Sequence, residues 1–157
     1  MTCVRGRREN AGMFRRTLVL LSLVLALAAC GGGGGLTKAQ YDAKVSHLCL
    51  LAADQMRELH MDNSIVAWQH SGQSVVRVAE QFDKSLAALK APGDIAADAA
   101  AYLKANEKLV SDYKAAVVAA NADDRATLRA AGNRSTKDGA ATVPAAKAIG
   151  ATGCYIS

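Results

Sequence analysis

Aromatic residues and prolines are scarce in this chain: two phenylalanines, one tryptophan, four tyrosines and two prolines occur among 157 residues. β-Branched residues never alternate with polar ones over a strand-length window, which argues against a β-sheet. Alanine, the strongest helix former, occurs 33 times. These properties predict an all-α protein with one domain. About 122 residues follow a run of five glycines at positions 31–35, enough for a modest core of three or four helices.

The chain also carries little net positive charge once the residues before Cys30 are set aside. The formal net charge is +5, but five of the 19 basic residues and only one of the 14 acidic ones precede Cys30, which leaves about +1 for the remainder. Nucleic-acid recognition needs a concentrated basic stripe. The nearest candidate is interpreted as a solvated helix face, so no nucleic-acid partner is predicted; it comprises Arg125, Arg129, Arg134 and Lys137, interrupted by Asp138.

Motifs for catalysis and cofactor binding are missing as well. None of the three histidines follows an acidic residue by three positions, as di-iron carboxylate bundles require. There is no C-x-x-C-H for covalent haem and no G-x-S-x-G nucleophile motif. Ser46 and His47 are adjacent on a predicted helix and therefore face different directions. We predict no catalytic residue, no cofactor and no enzymatic activity.

The N-terminal segment has the pattern of an export signal. Arg15 and Arg16 precede a 13-residue apolar stretch, Thr17 to Ala29, which is too short to span about 30 Å of hydrocarbon. Residues 1–29 are therefore predicted to be a cleaved signal peptide. The first 12 residues look unlike the start of such a signal, so Met13 is an alternative initiator.

The sequence Leu27-Ala28-Ala29-Cys30 resembles the lipobox of bacterial lipoproteins. The resemblance implies that the Cys30 thiol is diacylglycerated and that the chain is cut just before it. Alternatives are an ordinary secretory signal with an incidental cysteine, and an uncleaved anchor. Residues 30–36 would then be the lipidated cysteine and a glycine tether spanning about 12 Å, which keeps the domain of residues 37–157 close to the outer face of the cell membrane.

Two cysteines remain after such processing, Cys49 and Cys154, one near each end of the domain. In an oxidising compartment we predict a disulfide between them. It would close a loop of about 106 residues and stabilise the fold by roughly 4 to 5 kcal/mol in the chain-entropy model. The alternative is two free thiols.

Apolar residues recur at helical spacing in four segments. The first has Thr37 as N-cap and Gln40 completing a capping box, and ends near His60. The second begins at Asn63 or Ser64, and the third opens at Asp94. The expected inward-facing stripes are Tyr41, Val45, Leu48, Cys49, Ala52, Met56 and Leu59; Ile65, Trp68, Gly72, Val75, Val76, Ala79, Phe82, Leu86 and Leu89; and Ile95, Ala99, Tyr102, Asn106, Leu109, Val110, Tyr113, Val117 and Ala120.

The fourth segment has few large side chains: its stripe is Leu128, Ala131, Gly132, Ser135 and Gly139. Asp123 or Asp124 is its expected N-cap, Pro144 should break or kink it, and Gly150 is its expected C-cap. The short connections between the four segments favour an up-and-down antiparallel four-helix bundle.

Tyr41-x-Ala43-Lys44-x4-Cys49 and Gly150-x3-Cys154 resemble small alanine-rich lipoproteins of high-GC Gram-positive bacteria. The resemblance covers most of the predicted domain. It implies a helical fold with a terminal disulfide, and because that family has no established activity it carries over no catalytic residue.

Asn106 is the one polar side chain at the centre of an apolar stripe, and burying its amide requires hydrogen bonds. We expect a register-fixing contact, to Ser135 or a tyrosine hydroxyl; the alternative is a polar group in a ligand cavity beside Tyr102 and Tyr113, left open by the small side chains of the fourth helix.

Three functions remain as predictions. The first is a lipid-anchored, non-enzymatic module that binds an envelope protein or another envelope component. The second is a small-ligand binder with its pocket near Asn106. The third is a weak copper site formed by Met56, His60 and Met61, although no further ligand is evident and no metal site is assigned. His47 and His70 should face solvent, whereas His60 should lie at a helix C-terminus.

Overall fold

The computed structural model describes residues 35–62 and 64–155, which belong to one compact unit. This part of the chain is helical throughout and contains no β-strand, as its composition predicts. Four α-helices, α1 to α4, occupy Lys38–Glu58, Ile65–Ala87, Ala96–Asn121 and Arg125–Ala148, and short 3-10 turns lie at Gly93–Ile95 and Thr152–Cys154. The predicted signal peptide, Cys30 and most of the glycine tether lie outside the described residues.

The helix starts follow from side-chain caps that the sequence contains. Thr37 and Gln40 form the predicted reciprocal capping box at α1. Ser64 caps α2 and Asp124 caps α4, each accepting from a backbone N–H three residues later. Helix α3 has no side-chain cap and begins at Ala96, after the 3-10 turn, rather than at the expected Asp94.

Helix α4 is continuous through Pro144, so the break that was one of the two expected effects of this proline does not occur. Proline removes one N–H, and the carbonyl left unpaired four residues earlier belongs to Ala140, which is exposed to solvent. Helix α4 ends in a Schellman motif at Gly150, the predicted cap, whose φ is +81°. The N–H groups of Gly150 and Ala151 donate to Lys147 and Ala146, at 3.0 and 2.9 Å.

Packing follows chain order: α1 packs on α2, α2 on α3 and α3 along α4, while the C-terminal 3-10 turn packs on α1. Every residue of the four predicted stripes is buried or half-buried. The small side chains of α4 are what allow it to approach α3 closely. Among the described residues, no helix has the length and apolar character needed to cross a membrane.

The core is divided into two clusters of buried residues. The first, here called the Tyr41 cluster, comprises Tyr41, Val45, Cys49, Leu86, Ile95, Ala99, Tyr102, Ala146, Ile149 and Ala151. The second, the Trp68 cluster, comprises Trp68, Val75, Val76, Ala116, Val117, Ala119, Ala120, Leu128 and Ala131. The residues of the two clusters lie at different positions along the helices. The region between the two clusters contains the candidate site.

Candidate functional site

A cavity of about 500 Å³ lies between the two core clusters. We call it the central cavity. Cys49 and Tyr102 of the Tyr41 cluster line it, together with Met56 and Tyr113, which pack against the Trp68 cluster, and most of its lining side chains are apolar. Three of them, Leu50, Ala53 and Arg57, are exposed, so the cavity opens to solvent. Cavities of roughly 300 to 1,000 Å³ with a few convergent polar groups are the usual sites for small ligands.

Helices α1, α2 and α3 form most of the wall. Three alanines, Ala52, Ala53 and Ala79, line it, and their short side chains leave the volume open. Helix α4 contributes only Thr142, and the C-terminal turn contributes Gly153 and Cys154. The expectation that small residues of the fourth helix would create the cavity is therefore wrong, because α4 uses its small residues to pack against α3 instead.

The structure brings Tyr102, Asn106 and Tyr113 together, as the sequence predicts for a ligand pocket, and all three line the central cavity. They lie on one face of α3, with Asn106 one turn after Tyr102 and Tyr113 two turns after Asn106. Tyr102 and Asn106 are buried and Tyr113 is half-buried against Trp68, with ring centroids 6.1 Å apart. Burial raises the pKa of Tyr113 above its ordinary value, so its hydroxyl stays protonated at neutral pH.

Asn106 makes its hydrogen bonds to Tyr102 of its own helix, one of the tyrosines that the sequence suggested, and not to Ser135. Its Nδ2 donates to the backbone oxygen of Tyr102, one turn earlier, at 2.9 Å. Ser135, an expected partner, donates its hydroxyl to the backbone oxygen of Gly132 instead. Because both bonds are local to their own helices, neither fixes the register between α3 and α4. The Asn106 amide is thus satisfied within α3 at the edge of the cavity.

The Cys49–Cys154 pair lies at disulfide-bonding distance and forms part of the cavity wall. The two Cα atoms are 5.1 Å apart, within the range of protein disulfides. The Tyr102 hydroxyl lies 3.3 Å from the sulfur of Cys49. Burial raises the pKa of Tyr102 to about 12. The disulfide therefore joins the C-terminal turn to α1 at the point where both face the cavity.

Asp83 is a polar group of the cavity that the sequence analysis missed. It lies on α2 beside Phe82, and its Oδ1 is buried without a hydrogen-bond partner in the described part of the chain. Burial raises the pKa of Asp83 to about 6, and repulsion from Glu107 and Glu80 makes a smaller contribution to this rise. Its position was a usable signal, because Asp83 stands four residues after Ala79 and three before Leu86, both on the predicted inward stripe.

Replacing Asp83 with asparagine should stabilise the fold, and the gain should depend on pH. Since the folded-state pKa is about 6 and the ordinary value is 3.8, the folded state holds the proton more tightly. Stability is therefore lost as pH rises from about 4 to 6 and stays lost above. We expect Asp83→Asn to add about 1 kcal/mol at pH 7.5, allowing for solvent near the carboxylate. Urea unfolding at pH 7.5 and pH 4 measures this, and an equal gain at both values would contradict it.

The histidines behave as predicted for surface positions. His47 and His70 are exposed. His60 is exposed just beyond the end of α1, where its Nδ1 lies 2.7 Å from the backbone oxygen of Glu58. Met56 and Met61 are half-buried against the Trp68 cluster. Across residues 35–62 and 64–155, no three His, Cys, Asp or Glu side chains form a group suited to a metal ion. Copper binding by Met56, His60 and Met61 stays a prediction.

One residue of the basic face on α4 has a role that the sequence did not indicate. Arg134 donates from Nε to Oδ1 of Asp112 on α3, at 2.9 Å. Asp112 is buried, and its Oδ2 has no partner among the described residues. Arg125, Arg129 and Lys137 are exposed, as expected for a solvated face. The Asp112–Arg134 pair thus joins α3 to α4.

No protein-family model, curated protein or solved structure matches this chain. What the protein binds has therefore to be inferred from the chemistry of the central cavity itself.

Proposed function

We propose that the protein is a lipid-anchored extracytoplasmic protein that binds a small, largely apolar ligand in the central cavity. Ligand binding is supported by the cavity of about 500 Å³ that Tyr102, Asn106 and Tyr113 line. Its volume is suited to a molecule of drug-like size, and its mixture of apolar walls and a few polar groups is typical of ligand sites.

A protein-docking role receives less support from the surface. Four large apolar side chains are notably exposed in the described part, and they lie on three different helices: Leu50, Leu51, Val66 and Val118. Scattered apolar residues of this kind are normal on protein surfaces. Leu50 also lines the cavity. Binding to an envelope protein therefore stays a prediction, and the cavity favours the small ligand.

The scaffold that we propose for the cavity is the up-and-down antiparallel four-helix bundle. Packing in chain order and connections of a few residues support it. The proposed anchor is the diacylglyceryl group on Cys30, supported by Leu27-Ala28-Ala29-Cys30 after an apolar stretch. Mass spectrometry of the protein isolated from membranes tests this: the expected chain begins at a diacylated Cys30, whereas an intact 157-residue chain would refute the processing.

Ligand binding can be tested at Met56, which lines the cavity and is one of four methionines in the chain. The protein is produced from its full sequence with ¹³C-methyl methionine and titrated with the neutral probe 2-phenylethanol. We expect the Met56 resonance to shift and saturate at millimolar probe, the affinity that about nine non-hydrogen atoms can supply. Unchanged Met56 shifts throughout would overturn the proposal.

Ala79→Phe supplies the matched control for this titration. Ala79 is buried and lines the cavity, so a phenyl group at this position fills part of the space that the probe would occupy. Ala87→Phe introduces the same side chain at an exposed position of the same helix. We expect Ala79→Phe to abolish the saturable Met56 shift and Ala87→Phe to preserve it. Loss of binding in both variants would contradict a site in the cavity.

A further inference from the structure

The polar groups around the central cavity differ in what remains available to a ligand. Asn106 donates to the Tyr102 backbone, and the Tyr102 hydroxyl lies against the Cys49 sulfur. Asp83 is different, because its buried Oδ1 accepts no hydrogen bond from any described residue. Oδ1 itself has almost no accessible surface, but a charged donor at this half-buried carboxylate would offset part of the desolvation cost of the unpartnered oxygen. Asp83 is therefore the group of the cavity best placed to select a ligand.

The charges near Asp83 determine which donor suits it. Glu80, on the same helix, is paired with Lys114 at 2.7 Å, so that lysine is already engaged. Glu107, on α3, repels the Asp83 carboxylate, as Glu80 also does. The basic residue in the lining is Arg57 of α1, which is exposed and paired with Asp54. Asp83 thus faces a negative environment in which a cation is attracted and an anion repelled.

The rest of the cavity determines the body of the ligand. Phe82 and Val110 line it together with Met56 and the alanines of α1 and α2. The Phe82 ring lies edge-on to Tyr102, with centroids 6.4 Å apart and an interplanar angle of 85°. Such a wall suits a flat apolar group, which gains from removal of its surface from water.

We propose that the central cavity selects small apolar molecules that carry a protonated amine, with the ammonium donating to the Asp83 carboxylate and the apolar body lying against Phe82 and Val110. This inference rests on the proposed ligand-binding function and deepens it. A charge-assisted hydrogen bond in a partly desolvated site is strong enough to favour an amine over a neutral molecule of the same shape by 10- to 100-fold, as an order of magnitude.

The test compares three probes that share one body: 2-phenylethylamine, neutral 2-phenylethanol and the anion 3-phenylpropionate. Each is titrated against the protein produced from its full sequence at pH 7.5, with the Met56 methyl resonance as the readout. We expect the amine to bind roughly 10- to 100-fold more tightly than the alcohol, and the anion more weakly than either. Tighter binding of the anion would overturn the proposal and indicate recognition by Arg57.

Asp83→Asn tests the assigned residue while keeping the size of the side chain. We expect it to lower amine affinity to that of the alcohol and to leave alcohol affinity within about twofold. The control Asp98→Asn, at an exposed position of α3, should change neither affinity. If Asp83→Asn keeps the amine preference, or if the alcohol binds as tightly as the amine, recognition by Asp83 is wrong while the cavity stands as a ligand site. If no probe shifts Met56, the proposed function itself fails.

Discussion

Removing the Cys49–Cys154 disulfide should lower the free energy of unfolding by about 4 kcal/mol, the largest effect that we expect from a single link in this protein. The bond joins positions 105 residues apart, and closing so long a loop strongly restricts the unfolded chain. It also attaches the C-terminal turn to α1, where that turn covers the Tyr41 cluster. The double variant Cys49→Ala/Cys154→Ala measures this in urea unfolding.

A reducing agent provides the control for the disulfide prediction. Reduced wild-type protein should unfold near the midpoint of the double variant, and the double variant should not respond to the reductant. Because Cys49, Gly153 and Cys154 also line the central cavity, the saturable Met56 shift with 2-phenylethanol should weaken in parallel. The prediction would be contradicted if the unfolding midpoint of the wild-type protein were the same with and without the reductant.

Gly153→Ala should destabilise the protein by about 2 to 3 kcal/mol, although it adds only one methyl group. A Cβ at Gly153 would lie 2.6 Å from the backbone oxygen of Ser46 and 3.1 Å from its carbonyl carbon. Backbone atoms of a helix interior cannot move aside as a flexible side chain would. The C-terminal turn would have to shift away from α1 against the disulfide, and the bond from the Gly153 N–H to Ser46 Oγ, now 3.3 Å, would lengthen.

Gly139→Ala is the matched control, because a Cβ at Gly139 meets no atom within 4 Å beyond its chain neighbours and the backbone of its own helix. Gly139 lies inside α4, where alanine is a better helix former than glycine, so this change should stabilise by about 0.5 to 1 kcal/mol. Thermal or urea unfolding of the two variants should therefore give changes of opposite sign. Two changes of the same sign would show that close packing at Gly153 is not responsible.

The sequence was most informative about features that depend on interactions between residues close together in the chain. The caps at Thr37, Ser64 and Asp124, and the Gly150 C-cap, depend on hydrogen bonds within a few residues. The inward stripes depend on helical periodicity, which placed Cys49 on the core side of α1. The same periodicity placed Tyr102, Asn106 and Tyr113 on one face of α3, and this face lines the cavity.

Expectations failed where a contact between helices, or solvent exposure, decided the result. The course of α4 through Pro144 depends on the exposure of Ala140, which periodicity does not give. Which helices line the cavity depended on how closely α4 approaches α3. Asp83 and Asp112 were overlooked because an acidic residue on a helix is usually solvated.

The sequence alone therefore determined that this protein is α-helical, where three of its four helices start, and that Cys49 and Asn106 face inward, because each depends on propensity, capping or periodicity along one helix. Only the tertiary structure decided that the core separates into two clusters with a cavity between them, and that the Asp83 carboxylate lies unpartnered in its wall. Both features arise from side-chain volumes and charges that meet across different helices, and no single stretch of sequence contains that information.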